Sequence, residues 1–264
     1  MTDKSGLGFG IVGCGMIGHF HAKAIQAMQG GHLECVFDLR ADASDKLAAD
    51  YGVKAYSKYE EFLAHPGLNV VTIGTPSGSH LDPAVGAANA GKHVICEKPL
   101  ALELKEADRL IAAVEKSKGD LRVGFSRRYK DRYLLAKEQV LQGRLGRITS
   151  GAARVYNSRS QAAQTLKRLP ENSSVSGLTY YIDVMNWLLE GNPAVEVFAR
   201  GQGSVLKETG FNTNDVTWAI VTFADGTVVR GESSLPGHGS PPAEVWIEPR
   251  DSAAHPGAIR ALLE

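Results

Sequence analysis

The glycine-rich segment near the amino terminus constrains the fold of this chain more than any other feature. Residues 13–18 read GCGMIG, a G-x-G-x-x-G pattern that follows the apolar run FGIV and opens a helix-like stretch. In such a unit the first glycine permits a tight turn, the second lets a pyrophosphate approach the backbone, and the third lets helix and strand pack closely. Unpaired N–H groups at the helix start attract the phosphates. The pattern predicts a dinucleotide site that includes Gly13, Gly15, Met16, Ile17 and Gly18.

Two residues at the end of the next apolar run bear on which dinucleotide is bound. Asp38 stands twenty residues beyond Gly18, where a carboxylate can accept hydrogen bonds from both ribose hydroxyls, which favours NAD. Arg40 is placed to bind a 2′-phosphate, which would favour NADP, and its alternative role is that of a solvated loop charge. We therefore expect NAD as the cofactor, with NADP as the alternative.

Strand-like and helix-like stretches alternate through the first half of the chain. This alternation predicts right-handed βαβ units and a parallel sheet with both faces covered. Asp82 is the predicted N-cap of the clearest helix, Pro83 its first residue, and Gly91 the residue just past its end. The strand candidates are Phe9–Val12, Leu33–Phe37, Val70–Ile73, His93–Cys96 and Leu121–Phe125, and the helix candidates lie near 16–29, 41–51, 81–90 and 103–117.

The pattern changes after about residue 126, where strands lengthen and pair locally. The runs Val216–Phe223 and Thr227–Ser233 flank Ala224-Asp225-Gly226, which predicts a β-hairpin. Before this hairpin, the stretch Gly177–Leu189 carries apolar residues at i, i+3, i+4 and i+7. This period predicts an amphipathic helix, with Ser176 as its N-cap.

These patterns predict an α/β protein of two domains. The first, at 1–125, is a Rossmann-type doubly wound parallel sheet that binds the dinucleotide. The second, at 126–264, is an α+β domain with an open, mostly antiparallel sheet. We expect the second domain to carry the substrate and oligomerisation surfaces.

Composition and charge exclude several classes of function. The 264 residues are 43% apolar and 22% charged, with 29 basic and 29 acidic side chains, so no net field favours nucleic acid. No apolar run approaches the ~20 residues of a membrane span, and the amino terminus does not resemble a signal peptide. The three cysteines sit in apolar runs as expected of reduced, buried thiols, and neither they nor His19 and His21 have metal-type spacing. We expect a cytoplasmic protein that acts on a small molecule, without a metal, nucleic acid or membrane partner.

A second segment, GTPSGSHLDPAVGAANAGKHVICEKPLAL at 74–102, places polar groups at the edge where open α/β sheets bind ligands. Thr75-Pro76 ends one parallel strand and Glu97-Lys98-Pro99 ends the next. Partial desolvation there would lower the pKa of the Lys98 ammonium toward the range useful for proton transfer. The alternative is a surface lysine paired with Glu97. His80, in the loop after Thr75-Pro76, lies either near a bound nicotinamide or in a structural position.

With these motifs the chain resembles the glucose–fructose oxidoreductase / inositol dehydrogenase / MocA (Gfo/Idh/MocA) family. The resemblance implies an NAD(P)-dependent oxidoreductase of sugars, polyols and related carbohydrates, whose second domain presents an open sheet toward the nicotinamide. It covers GIVGCGMIGHFHAKAI at 10–25, the segment 75–100, VGFSRRY at 123–129, GRLGRI at 143–148 and YIDVMNWLLEGNPAVEVFA at 181–199.

The resemblance also implies roles for individual residues. Lys98 matches the catalytic lysine of the family, and Glu97 and Pro99 match its neighbours. Asp183 matches an aspartate that often contacts substrate, and Arg128 matches an arginine near the domain junction. On this basis Thr75, Pro76, His80, Glu97 and Lys98 join the predicted cofactor site, and Lys98, Arg128, Tyr180 and Asp183 form the predicted substrate site.

The chain departs from the family pattern at two positions of the predicted helix. The family commonly has Asp-x-x-x-His where this chain has Ser176 and Tyr180. Tyr180, Asp183 and Trp187 share one helix face. A phenol near Lys98 would have its pKa lowered by the ammonium, so Tyr180 is a candidate for the acid–base role of the missing histidine. A packing tyrosine is the alternative.

The family resemblance implies further strands beyond Ile247, so we expect a C-terminally shortened chain. Its bare sheet edge would favour pairing with another chain or aggregation, and we expect a homo-oligomer that forms through this sheet. The predicted function is hydride transfer between a nicotinamide and a sugar, polyol or related secondary alcohol or ketone, with Lys98 and Tyr180 as catalytic residues. The alternative is a non-catalytic dinucleotide-binding sensor or regulatory protein of the same fold.

Overall fold

The computed structural model of the chain describes residues 6–168, 175–237 and 244–249. The polypeptide divides into two units, Met1–Gly124 and Phe125–Glu264, each built around its own sheet. This division lies close to the change in pattern seen near residue 126 of the sequence.

Strands and helices alternate throughout the described part of the first unit. The strands are β1 (Leu7–Val12), β2 (Gly31–Phe37), β3 (Lys54–Tyr56), β4 (Leu68–Ile73), β5 (His93–Cys96) and β6 (Leu121–Val123). The helices are α1 (Met16–Ala27), α2 (Ala41–Tyr51), α3 (Tyr59–Leu63), α4 (Leu81–Asn89) and α5 (Leu104–Lys116).

The six strands of the first unit form a parallel sheet in the order β3-β2-β1-β4-β5-β6. The order reverses between β1 and β4, and ligands of such sheets bind beyond the carboxyl ends of the strands at this switch point. Ile11, Val36, Val71 and Val94 are all fully buried, because helices cover both faces of the sheet. The predicted doubly wound parallel sheet is confirmed.

The predicted strands and helices of this unit recur with small shifts at their ends, but one helix start was wrong. Helix α4 begins at Leu81 with His80 as its N-cap residue, so Asp82 lies in the first turn rather than at the cap. Pro83 is tolerated inside that turn because the first four N–H groups of a helix have no intrahelical partner. Gly91 adopts a left-handed conformation just past the helix end, as predicted. Strand β3 and helix α3 were missed because both are very short.

The second unit contains a mixed sheet together with helices. Its strands are β7 (Ile148–Ser158), β8 (Ala194–Gln202), β9 (Val216–Phe223), β10 (Val228–Gly237) and β11 (Glu244–Pro249), in the order β11-β7-β10-β9-β8. Only the β7–β10 pair among these described strands is parallel. Its helices are α6 (Asp131–Leu141), α7 (Arg159–Arg168), α8 (Val175–Leu188) and α9 (Val205–Glu208). The sheet is mostly antiparallel, as predicted.

Helix α8 packs an apolar face against the sheet of this unit. Leu178, Tyr181, Met185 and Leu188 are buried in one cluster with sheet residues such as Val229, and each such side chain contributes ~1.5–3 kcal/mol when fully buried. The predicted hairpin between β9 and β10 is also present.

The helix starts before the residue that was predicted to cap it. Its first residue is Val175, so Ser176 lies inside the first turn rather than at the N-cap, and that prediction was wrong. The apolar periodicity located the helix correctly, but a single cap candidate locates its end only to within a residue or two.

Candidate functional site

The glycine loop between β1 and α1 has the geometry of an anion cradle. Gly13 has φ +92°, and a Cβ there would lie 2.6 Å from the backbone nitrogen of Thr75. A Cβ on Gly18 would lie 2.2 Å from the carbonyl oxygen of Gly13, whereas a Cβ on Gly15 would meet nothing within 4 Å. Gly13 and Gly18 are therefore required by packing, and the space at Gly15 is open to a ligand.

The start of α1 is free to receive the negative charge of a phosphate. Gly15 is its N-cap residue, its first turn contains no acidic residue, and among the described residues no side chain caps it. The N–H groups at Met16 and Ile17 belong to the first turn, whose donors have no partner within the helix. A dinucleotide pyrophosphate fits this arrangement because it would accept from those donors and fill the space over Gly15.

Asp38 connects the glycine loop to the end of β2. Its Oδ2 accepts a hydrogen bond from the Cys14 N–H at 2.7 Å, and its Oδ1 accepts one from the Arg40 N–H at 2.9 Å. Each carboxylate oxygen has a second lone pair with which to accept a ribose hydroxyl. The Arg40 guanidinium pairs with Asp42 at 3.2 Å, and both of these side chains are largely exposed.

His80 lies between the loops that follow β4 and β5. The residue is 2% exposed, with Nδ1 2.8 Å from the Pro99 carbonyl oxygen and Nε2 2.9 Å from the Thr75 carbonyl oxygen. The Thr75 hydroxyl donates to the Ser79 carbonyl oxygen at 2.9 Å. The predicted cofactor residues Thr75, Pro76 and His80 therefore lie in one connected loop at the carboxyl edge of the sheet.

Glu97 at the end of β5 is held by a histidine from the first helix. Its Oε1 lies 3.2 Å from His21 Nε2, and its Oε2 accepts the backbone N–H of Lys98 at 3.2 Å. Burial raises the pKa of the Glu97 carboxyl, but the bond with His21, the Lys98 N–H and the nearby positive charges outweigh burial and hold it below its usual value. Glu97 is thus a carboxylate that anchors the backbone of Lys98.

In the second unit, Arg128 and Asp183 form a bidentate pair. Arg128 lies in a 3₁₀ turn, Ser126–Tyr129, and Asp183 lies on α8. The hydrogen bonds with Asp183 raise the pKa of the Arg128 guanidinium, an effect that partial burial opposes. The predicted substrate residues Arg128 and Asp183 are therefore in direct contact.

Arg127 was missed as a site residue, since the sequence shows it only as part of a short basic run. Its guanidinium lies 5.0 Å from the centre of the Tyr180 ring, and the Arg128 guanidinium lies 5.8 Å from the centre of the Trp187 ring. Tyr180 and Trp187 both pack partly against the core of the unit. Two arginine guanidiniums thus lie over aromatic rings of the predicted α8 face, a contact that periodicity does not reveal.

The three cysteines are buried and free, and burial, the largest cause, raises the pKa of each thiol to about 12. Across residues 6–168, 175–237 and 244–249 there is no group of three or more His, Cys, Asp or Glu side chains placed to hold a metal ion. Within the same ranges no helix has the length and apolar character needed to cross a membrane.

Two models of one protein family match the two units. Residues 7–125 match the oxidoreductase family with an NAD-binding Rossmann fold, Gfo/Idh/MocA, and residues 133–248 match the C-terminal domain of the same family. The chain belongs to the Gfo/Idh/MocA family. The resemblance seen in the sequence is confirmed, and the family identifies the glycine loop as part of an NAD-binding Rossmann fold.

Several named relatives share both halves of the chain. The inositol 2-dehydrogenase of Salmonella typhimurium (strain LT2) is 33% identical over 78% of this chain and 60% of its own length, and the myo-inositol 2-dehydrogenase of Thermotoga maritima is 31% identical over 81% and 64%. The crystal structure of scyllo-inositol dehydrogenase from Lactobacillus casei with NAD(H) and scyllo-inositol has a TM-score of 0.80 and 27% identity, covering 93% of this chain and 74% of that one. The chain thus spans about three fifths of the length of these two curated relatives.

Proposed function

We propose that the protein is an NAD-dependent oxidoreductase that transfers hydride between nicotinamide and a secondary hydroxyl of a polyol, with inositols as the substrate class. The observation that carries the proposal is Lys98 at the carboxyl end of β5, in the same sheet edge as the glycine loop. The inositol dehydrogenase names of relatives 31–33% identical support the substrate class.

In this proposal the first unit binds the cofactor and supplies Lys98 for proton transfer. NAD, when bound, accepts hydride in the oxidative direction and supplies it in the other. The open space at Gly15 and the start of α1 bind the pyrophosphate, and Asp38 accepts the ribose hydroxyls. Lys98 takes the proton from the substrate hydroxyl oxygen during oxidation and returns a proton to that oxygen during reduction.

Residues of the second unit bind and orient the substrate. Arg128 donates hydrogen bonds to hydroxyl oxygens, and Asp183 holds the Arg128 guanidinium in place through two hydrogen bonds. Tyr180, with its ring against Arg127, is the proposed second proton-transfer residue. Its hydroxyl both donates and accepts, as the histidine that it replaces does.

The experiment that tests the proposal is an NAD+ reduction assay with myo-inositol, scyllo-inositol and glucose, on the wild type and on Lys98→Met. Because general acid–base catalysis contributes ~10²–10⁴-fold, Lys98→Met is expected to lower kcat by about that factor. The control is Lys105→Met, an exposed lysine on α5 that pairs with Glu103. Full turnover by Lys98→Met on a substrate that the wild type oxidises would contradict the proposal.

A second candidate function is a dinucleotide-binding sensor without turnover. Tyr180 and Ser176 in place of the family's histidine and aspartate favour it. NADH fluorescence titration beside the same substrate panel separates the two, since saturable binding with no turnover on any polyol or sugar supports the sensor.

We also propose that two copies pair through the open face of the second sheet, and that the protein works in the cytoplasm. Phe198 and Ile220 are paired across β8 and β9 and are 57% and 48% exposed, with Trp218 and Val228 nearby on the same face. Exposed apolar patches of this kind are typical of protein interfaces. The buried free thiols fit a reducing compartment.

A further inference from the structure

Two histidines from different helices contact the two ends of the Glu97-Lys98-Pro99 segment. His21 on α1 contacts the side chain of Glu97, and His80 at the start of α4 contacts the carbonyl oxygen of Pro99. The residue between these contacts is Lys98, the proposed proton-transfer residue. Neither histidine has a role in the chemistry proposed so far.

The contact with Glu97 shows which ring nitrogen of His21 donates. A carboxylate only accepts hydrogen bonds, so His21 Nε2, 3.2 Å from Glu97 Oε1, must carry the hydrogen. The other ring nitrogen, Nδ1, is buried and has no hydrogen-bond partner among the residues that the structure describes. The ring therefore uses its one partnered nitrogen to hold Glu97, whose second oxygen accepts the N–H of Lys98.

Gly124 closes the other side of the Glu97 carboxyl group. A Cβ on Gly124 would lie 2.9 Å from Glu97 Cδ and 2.9 Å from Oε1. The Gly124 N–H donates to the Cys96 carbonyl oxygen at 2.7 Å, so the glycine is itself fixed next to β5. Glu97 is thus confined between an imidazole and a backbone that leaves room only because it lacks a side chain.

His80 holds the segment at its other end. Both of its ring nitrogens face carbonyl oxygens, Pro99 at 2.8 Å and Thr75 at 2.9 Å, within a site that is almost completely buried. Carbonyl oxygens only accept, so a neutral ring donates to one of them and an imidazolium donates to both. In either state the ring bridges the loops that follow β4 and β5.

We propose that His21 and His80 are positioning residues that hold the backbone on both sides of Lys98 and so aim its amine for proton transfer. The proposal rests on the proposed role of Lys98. A lysine has four flexible side-chain bonds, so its amine is aimed only if the backbone from which it extends is rigid. A displacement of about 1 Å at a reacting group can cost ~10²-fold in rate.

Substitution by Gln or Asn tests the two ring nitrogens of each histidine one at a time. The side-chain amide nitrogen of Gln lies near the position of Nε2, and that of Asn lies near the position of Nδ1. His21→Gln keeps a donor toward Glu97, whereas His21→Asn is too short to reach it. We expect His21→Asn to lower kcat about tenfold or more, with a small change in KM, and His21→Gln to recover most of it. Equal kcat in the wild type and both variants would overturn the role of His21.

The same pair of substitutions divides the two contacts of His80. His80→Asn keeps the contact with Pro99 and loses the one with Thr75, so kcat is expected to hold while NADH binds less tightly. His80→Gln keeps the Thr75 contact and is expected to lose kcat instead. The same loss in both variants, or in neither, would overturn the assignment.

A measurement that needs no turnover keeps this inference separate from the proposed function. The reactivity of the Lys98 amine toward acetic anhydride, quantified by mass spectrometry against that of Lys105, reports the environment of the amine directly. We expect a changed ratio in His21→Asn and a wild-type ratio in His21→Gln. An unchanged ratio in both His21 variants contradicts the inference, and a ratio that changes in His21→Asn alone supports it. Both outcomes can be read even if the wild type proves inactive on every polyol.

Gly124→Ala disturbs the same carboxyl group without touching either histidine. Gly124 does not have positive φ, so alanine causes no backbone strain there and acts through its contact with Glu97. The variant is expected to change the Lys98 labelling ratio in the same direction as His21→Asn. It takes the place of His21→Asn in the test if that variant does not fold. A wild-type ratio in folded Gly124→Ala counts against the inference.

Discussion

Both carboxylate oxygens of Asp183 accept hydrogen bonds from Arg128, Oδ2 from Nε at 2.7 Å and Oδ1 from Nη2 at 2.6 Å. The Asp183 side chain is 9% exposed and that of Arg128 is 37% exposed. The Asp183 carboxylate is therefore largely shielded from water, whereas the Arg128 guanidinium that it holds is partly exposed to solvent. This geometry suits an arginine that is held in position for a ligand.

The first prediction concerns this pair. Asp183→Ala removes the partner of a partly buried guanidinium and is expected to lower the free energy of unfolding by about 1–2 kcal/mol, limited by the exposure of Arg128. A double-mutant cycle with Arg128→Ala, measured by urea unfolding, should give a coupling energy that stabilises the folded state. Coupling indistinguishable from zero would show that the pair does not stabilise the unit.

The glycines of the dinucleotide loop should separate folding from cofactor binding. Gly18→Ala forces a Cβ against the Gly13 carbonyl oxygen and is expected to lower the melting temperature. Gly15→Ala meets nothing within 4 Å, so its melting temperature should match the wild type while NADH binding is lost. Thermal unfolding and NADH titration check both, and a Gly15→Ala variant that binds NADH normally would argue against pyrophosphate binding at this point.

Cofactor preference should depend on two carboxylates near Arg40. Asp38→Ser removes a charge-assisted acceptor and is expected to weaken NADH binding about tenfold to a hundredfold, since such hydrogen bonds contribute ~1.5–3 kcal/mol. Asp38→Ser combined with Asp42→Ala also releases the Arg40 guanidinium and should tighten NADPH binding. Fluorescence titration with both cofactors gives the ratio of dissociation constants. A wild type that binds NADPH more tightly than NADH would reverse the expected preference.

Asp225 in the β9–β10 turn should make stability depend on pH in acid. Hydrogen bonds from Thr227 and Asn192 lower the pKa of its carboxyl from 3.8 to about 2. Because the folded pKa is depressed, its contribution is present above about pH 4 and is lost as the pH falls toward 2. Melting temperatures of the wild type and Asp225→Asn should converge across that window. A constant difference from pH 6 to pH 2 would contradict the assignment.

If two copies pair through the open sheet face, the mass of the protein in solution should depend on the side chain at Ile220. Ile220→Lys places a charge in the centre of the exposed apolar face opposite α8 and should convert a dimer to a monomer in sedimentation analysis. Thr209→Lys, an exposed position after α9 outside the sheet, is the control. A wild type that sediments as a monomer at micromolar concentration would contradict the proposed pairing.

The elements that local pattern could predict were those with long or strongly apolar signals. The buried strands around Ile11 and Val71 and the amphipathic helix around Met185 were correctly predicted because burial requires apolar residues at the period of the element. Strand β3 and helix α9 are too short to show a period. Helix α9 also depends on Asp215, whose carboxylate accepts N–H groups of Val205 and Leu206 from nine or ten positions along the chain.

The sequence by itself determined the dinucleotide loop, the parallel sheet beneath it and the strand end that carries Lys98. Those features follow from glycines, apolar runs and spacings that act over fewer than forty residues. Only the tertiary structure decided that His21 contacts Glu97 and that His80 bridges the carbonyl oxygens of Thr75 and Pro99. The same is true of the hydrogen bonds from Arg128 to Asp183. Such partners lie on different elements. Their donors and acceptors come within hydrogen-bond distance because those elements pack together, and no local period in the sequence encodes that packing.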